Sequence, residues 1–196
     1  MESVQSLRSD PRRPPPPTAD FRRTPQGWSP LVSAVSCGHA AVVDLLLSLG
    51  AQVDLATAQK RTALHYAASK GRAALLRALL AAGASAAARD VTGATPLHRA
   101  AGAGQLDAAQ ILLDEARAQV DARDASGATP LLLAAAGGHQ AVAVLLAGRG
   151  ADVEAEDKEG ETPLGAAARH GGLREALVAV GAGGGAGATA ATLEQK

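Results

Sequence analysis

The chain has 196 residues, with 19 Lys plus Arg balanced by 19 Asp plus Glu. Zero formal net charge argues against a dedicated nucleic-acid or anionic-membrane protein, since both hold their ligands with a basic excess. A single cysteine, Cys37, rules out an internal disulfide and fits a reducing compartment, and no apolar run approaches the roughly 20 residues of a membrane span. With one Phe, one Trp and one Tyr, the core cannot be built around aromatic rings. Thin elements packed side by side, with Leu, Val and Ala at the seams, are expected instead.

In chain order, residues 1–24 come first, rich in Pro and Arg and including Pro14-Pro15-Pro16-Pro17. They carry Glu2, Asp10 and Asp20 and no secretory apolar stretch. The composition predicts a disordered tail of polyproline II character, and Arg8-x-x-Pro11-x-x-Pro14 resembles a polyproline ligand of a kind common by chance. From Ser29 onward the chain repeats. A Ser/Thr, then Pro or Ala, then Leu begins at Ser29, Thr62, Thr95, Thr129 and Thr162, at intervals of 33, 33, 34 and 33 residues. In phase with it run the pairs Ala67-Ala68, Ala100-Ala101, Ala134-Ala135 and Ala167-Ala168, and the glycines Gly38, Gly71, Gly104, Gly138 and Gly171. A further Gly-Ala follows at 50–51, 83–84 and 150–151.

Each position has a physical reason. The hydroxyls can cap a helix, and Pro30, Pro96, Pro130 and Pro163 fall where no backbone N–H is needed. The Ala pairs let two helices approach, the first Gly permits the turn between them, and the second ends the outer helix. Inner helices are predicted near 30–37, 63–70, 96–103, 130–137 and 163–170. Outer helices are predicted near 40–49, 73–82, 106–115, 140–148 and 173–180. The third repeat lacks its helix-ending Gly at 114–119, which predicts one lengthened connection. Glu175 occupies the register of Val42, Leu75, Ala108 and Val142, which predicts a partly solvated last helix with the fastest amide exchange. Residues 182–196, opened by a Gly-rich run, are predicted to be a flexible tail.

Five copies in this order resemble ankyrin repeats. The resemblance implies an all-α solenoid over 25–181, with repeats at 25–56, 57–89, 90–123, 124–156 and 157–181. It is a non-catalytic class, and no residue constellation contradicts that. Gly185-Ala186-Gly187-Ala188-Thr189-Ala190 fits a nucleotide-loop pattern, but no strand precedes it. The histidines are spread along the stack by the repeat phase and cannot converge on a metal. Their ring nitrogens are expected to bond to loop backbone, and Cys37 reads as a small helical residue. No cofactor is expected.

What remains is the extended concave face of a repeat stack. Phase alignment places Trp28, Arg61 and Glu161 at one loop-tip position, and Arg89, Arg123 and Glu156 at another. Tyr66 and Arg99 share an inner-helix position, with Lys70 one turn further. Asp157 belongs to an acidic C-terminal end that follows a basic middle. Aromatic and Arg side chains are typical interface anchors. The alternative reading is that the charges only keep the surface soluble, and Tyr66 is equally placed to pack half-buried beside the next repeat.

Several segments go further. Gly27-Trp28-Ser29-Pro30, Thr62-Ala63-Leu64-His65-Tyr66-Ala67-Ala68-Ser69-Lys70-Gly71, Leu97-His98-Arg99-Ala100-Ala101 and Val153-Glu154-Ala155-Glu156-Asp157-Lys158-Glu159-Gly160 resemble the gankyrin family, the 26S proteasome non-ATPase regulatory subunit 10-like proteins, over about residues 25–180. That resemblance implies a monomeric assembly chaperone of cytoplasm and nucleus. Its concave face would hold the C-terminal domain of an ATPase subunit of the proteasome base. The implied binding residues are Trp28, Arg61, Tyr66, Lys70, Arg89, Arg99, Arg123, Glu156, Asp157 and Glu161, with no nucleic-acid or membrane partner. Gankyrins carry more repeats than the five counted here, so the first repeat is expected to expose a face that a neighbour would cover, unless the N-terminal tail covers it. The L-x-C-x-E motif of animal members is replaced by Leu133-Ala134-Ala135-Ala136-Gly137, so a retinoblastoma-type partner is not implied.

Overall fold

The computed structural model describes Thr24 and residues 27–184; the expectations for residues 1–23, 25–26 and 185–196 lie outside them. The described residues form five helical hairpins and no strand. Inner helices are α1 (Pro30–Cys37), α3 (Ala63–Ser69), α5 (Pro96–Gly102), α7 (Pro130–Ala136) and α9 (Pro163–Ala167). Outer helices are α2 (Ala40–Ser48), α4 (Ala73–Ala81), α6 (Leu106–Asp114), α8 (Gln140–Gly148) and α10 (Leu173–Gly184). Each inner helix packs on the next inner helix and each outer helix on the next outer one, an all-α solenoid. The core is one continuous seam of Leu, Val and Ala, from Val32 and Val43 through Leu64, Leu76, Leu97, Leu112 and Leu131 to Leu177.

The predicted caps form. Ser29 Oγ accepts the Val32 N–H at 3.2 Å, Thr129 Oγ1 that of Leu132 at 3.2 Å, and Thr162 Oγ1 that of Gly165 at 3.0 Å. Thr62 and Thr95 build capping boxes with histidine in place of the usual Glu. The Thr62 N–H donates to His65 Nδ1 at 3.2 Å, so the ring hydrogen sits on Nε2, which donates to the Ala94 carbonyl of the next repeat at 3.1 Å. His98 repeats this with Thr95 at 3.1 Å and Ala128 at 3.1 Å. His139 and His170 reach back to Gly102 O and Ala136 O at 3.1 and 3.0 Å. These rings bond to backbone, as the repeat phase predicts.

Both buried rings, each 1% exposed, are pushed below the ordinary histidine pKa, chiefly because burial disfavours the charged form. The unfolded chain therefore binds protons that the folded chain refuses. Stability is complete above pH ~6.5, the unfolded value, and falls as pH drops from there toward the folded values. Denaturant titrations should show stability falling as the pH drops below about 6.5, by no more than about 1.4 kcal/mol per pH unit for each histidine, and His98→Gln should make the fall shallower. A flat profile from pH 7 to 5 would contradict it.

The loop tips need one left-handed residue each. Four of the five are Gly27, Gly93, Gly127 and Gly160, but the second is Lys60, at φ 55°. At the outer-helix ends, Gly50, Gly83 and Gly150 are left-handed, and in the lengthened third connection Arg117 takes that role at φ 51°. A Cβ in this region is strained, by an amount that exceeds the entropy a glycine would lose. Lys60→Gly and Arg117→Gly should each raise the unfolding free energy by about 0.5–1 kcal/mol, read by urea denaturation.

The last repeat differs from expectation. α9 stops at Ala167, and the left-handed turn residue is Gly172, not Gly171. Gly165 weakens the short inner helix, and the Gly171-Gly172 pair lets the turn slip by one residue. The outer register shifts with it: Leu173 and Leu177 are buried, and Glu175 falls on the exposed side. Glu175 therefore does not occupy the inter-repeat position, and α10 continues to Gly184, three residues into the expected tail. At the other end the expected exposed face is present: Val42 is 46% exposed, whereas Leu75, Ala108 and Val142 in its register are buried.

Candidate functional site

The loop tips and the inner helices share one side of the stack, the side that is concave in repeat solenoids. An acidic or hydroxyl side chain closes each tip. Thr57 Oγ1 accepts the Arg61 N–H at 3.2 Å. Asp90 Oδ1 accepts the N–H groups of Thr92 at 2.9 Å and Ala94 at 3.2 Å. Asp124 Oδ1 does the same for Ser126 at 2.9 Å and Ala128 at 3.0 Å. Asp157 Oδ1 accepts from Glu159 and Glu161, both at 2.9 Å. Neighbouring tips are joined by backbone bonds, Val91 N–H to Gln59 O, Ala125 N–H to Thr92 O and Lys158 N–H to Ser126 O. They form one edge along the stack.

Half of the sequence-predicted residues lie on this edge, largely engaged within the chain. Arg89 donates to Gly93 O at 2.9 Å and Arg123 O at 2.6 Å, and Arg123 donates to Gly127 O at 3.2 Å and to Glu156 O. Their guanidiniums clamp consecutive tips. Asp157 holds its own turn, and Glu161 pairs with Arg169. Only the Glu156 side chain, exposed at its tip, stands without such a bond among these five.

The other five converge. Trp28, Arg61, Tyr66, Lys70 and Arg99 line one cleft of about 340 Å³ across the first three repeats, with Ser36, His65 and Ser69. The Trp28 and Tyr66 rings meet at 4.9 Å between centroids, tilted by 51°. Both are partly buried against the core and line the cleft; the ring that Tyr66 meets is Trp28 of the preceding repeat, not a side chain of the next one. Lys70 is exposed at the rim.

The two cleft arginines are not free cations. Arg61 Nε donates to Asp90 Oδ2 at 3.3 Å, and Arg99 donates to the same oxygen through Nε at 2.9 Å and through Nη2. The Asp90 side chain is fully buried. Burial alone would raise its pKa, but the hydrogen bonds from Thr92 and Arg99, together with the Arg99 charge, hold the carboxyl well below the usual range. The cleft thus presents two aromatic rings, two guanidiniums oriented by Asp90 and one exposed ammonium. That is a surface for an acidic group beside an apolar one. Asp90 escaped the sequence reading, although its phase with Thr57, Asp124 and Asp157 could have flagged it.

No described helix is long and apolar enough to cross a membrane, and among the described residues no cluster of His, Cys, Asp and Glu is arranged to hold a metal ion. No curated protein matches the sequence. The family model for ankyrin repeats in three copies matches residues 52–124 and 116–183, and the single ankyrin repeat model matches 26–58. Repeats of this kind form protein–protein interaction modules. The chain belongs to the ankyrin-repeat family.

Proposed function

We propose that the chain is a non-catalytic docking protein of the gankyrin type, acting in cytoplasm and nucleus. It holds the C-terminal domain of a proteasomal ATPase subunit on its concave face while the regulatory particle is assembled. One observation carries the reading: Trp28, Arg61, Tyr66, Lys70 and Arg99 meet in a single cleft. Trp28 and Tyr66 supply rigid apolar anchor area, and the surrounding charge sets the partner's direction of approach. Glu154, Glu156 and Glu159 remain exposed at the opposite end and would face basic groups.

A second reading is an adaptor for a different protein. It is favoured by the internal engagement of Arg61, Arg89, Arg99, Arg123, Asp157 and Glu161, which leaves fewer side chains free to distinguish an ATPase domain. Co-purification of the full chain from cell extract, with the recovered proteins identified by mass spectrometry, separates the two. Recovery of a base ATPase subunit, followed by saturable calorimetric binding of its C-terminal domain, supports the gankyrin reading. Recovery of another partner without any ATPase subunit replaces it.

A further inference from the structure

We infer that Asp90 is a positioning residue of the cleft, aiming Arg61 and Arg99 at a carboxylate-bearing segment of the partner while itself touching none of it. The inference rests on the docking reading of the cleft, and it concerns what that cleft recognises.

The argument comes from comparing register copies within the chain. Asp90, Asp124 and Asp157 all close their loop tips through Oδ1. In Asp90 alone among the three does Oδ2 carry a second task in the described residues, as acceptor for two guanidiniums from two different repeats. Closing the turn does not require it, since the other two tips close without it. The two oxygens therefore divide the labour: one holds the loop, the other holds the arginines.

The consequence is geometric. Each long arginine side chain loses rotamer freedom on binding unless it is already fixed, and fixing it beforehand strengthens association. Asp90, buried and fully charged, fixes both by charge-assisted bonds. Each guanidinium keeps donors that Asp90 does not use, beside the tilted Trp28–Tyr66 pair and within reach of the same cleft as Lys70. Three cations against one carboxylate leave a net charge of +2, which suits an acidic segment with an apolar neighbour.

The same arithmetic yields a test by sign. Asp90→Asn retains an oxygen for the loop but removes the charge that holds the arginines, and it raises the cleft's net charge to +3. If Asp90 acted only through charge, an acidic ligand would bind more tightly. If it positions the arginines, binding weakens. Trp28 is the chain's one tryptophan, so its fluorescence reports on the cleft directly. The probe is a short synthetic peptide alternating Glu with Leu and Phe, with a Gln counterpart, titrated against the full chain. We expect saturable binding of the Glu peptide, weakened about fivefold or more in Asp90→Asn and unchanged in Asp124→Asn. The Arg61 and Arg99 Nε–H signals in nitrogen-15 spectra should be protected in the parent and in Asp124→Asn, and lost in Asp90→Asn. Should Asp90→Asn fail to fold by circular dichroism, Arg61→Lys with Arg99→Lys preserves the net charge while removing the planar forks, and should weaken the peptide similarly. Equal or tighter binding by the folded variants overturns the inference, as does a Glu peptide that fails to saturate or binds no better than its Gln counterpart. Because no ATPase domain is used, failure here is distinct from failure of the proteasomal reading.

Discussion

Reversing both cleft arginines, Arg61→Glu with Arg99→Glu, is expected to lower the unfolding free energy by about 2–4 kcal/mol as well as to abolish docking. From sequence, both side chains belong to an open groove outside the apolar seams, and the reversal should leave the fold untouched. The structure corrects that expectation. Both guanidiniums serve the buried Asp90, and the reversal would set two carboxylates against a third that has no access to water. Removing the partner of a buried charge is among the most damaging single changes a protein can suffer. The arginine side chains keep 34% and 26% of their surface exposed, so solvent screening brings the effect below the roughly 3–5 kcal/mol of a fully buried pair. Adding Asp90→Asn to the double reversal should recover at least about 1 kcal/mol, the coupling expected of contacting groups. Arg77→Glu on the outer face breaks only an exposed pair with Glu115, at 2.8 Å, and should change stability by under about 1 kcal/mol. Urea denaturation of the four proteins decides the matter, and a double reversal as stable as the parent would remove Asp90 from the centre of the cleft.

The second large effect is expected at Leu97→Ala. Leu97 lies in α5, wholly buried at the middle of the seam. Its removal should cost about 3–5 kcal/mol, the upper part of the range for a buried leucine, because repeats on both sides limit how far the cavity can collapse. A repeat stack transmits stability only between neighbours, so the loss should do more than lower the midpoint. It should uncouple the two halves, and the unfolding transition should broaden or split. Calorimetry showing one sharp transition, displaced by the equivalent of under about 1 kcal/mol, would contradict this.

Why the repeats were legible and the cleft only partly so follows from the range of the forces involved. Ser29, Thr129 and Thr162 cap helices a few residues away, and Pro30, Pro96, Pro130 and Pro163 act through their own backbone. Local choices that agree in five copies leave little ambiguity. Trp28, Tyr66 and Lys70 could likewise be placed on one face by phase alone. The pairing of Arg61 with Asp90 and of Arg123 with Glu156 O could not, because those bonds join residues 29 and 33 positions apart. A charged residue at a loop tip looks the same in sequence whether it faces a partner or clamps the next tip. The fifth repeat departs from its sequence pattern for a third reason. Gly171 and Gly172 can both adopt the left-handed turn, and only the packing of Leu173 and Leu177 selects the second.

Hydrogen-exchange mass spectrometry tests the docking claim most directly. The full chain would be followed with and without the C-terminal domains of the proteasomal ATPase subunits. Docking on the cleft should slow exchange in the tips and inner helices around residues 27–36, 61–70 and 90–99, while the outer helices α4, α6 and α8 exchange as in the free chain. Absence of binding by every ATPase domain, or protection confined to the outer helices, would contradict it.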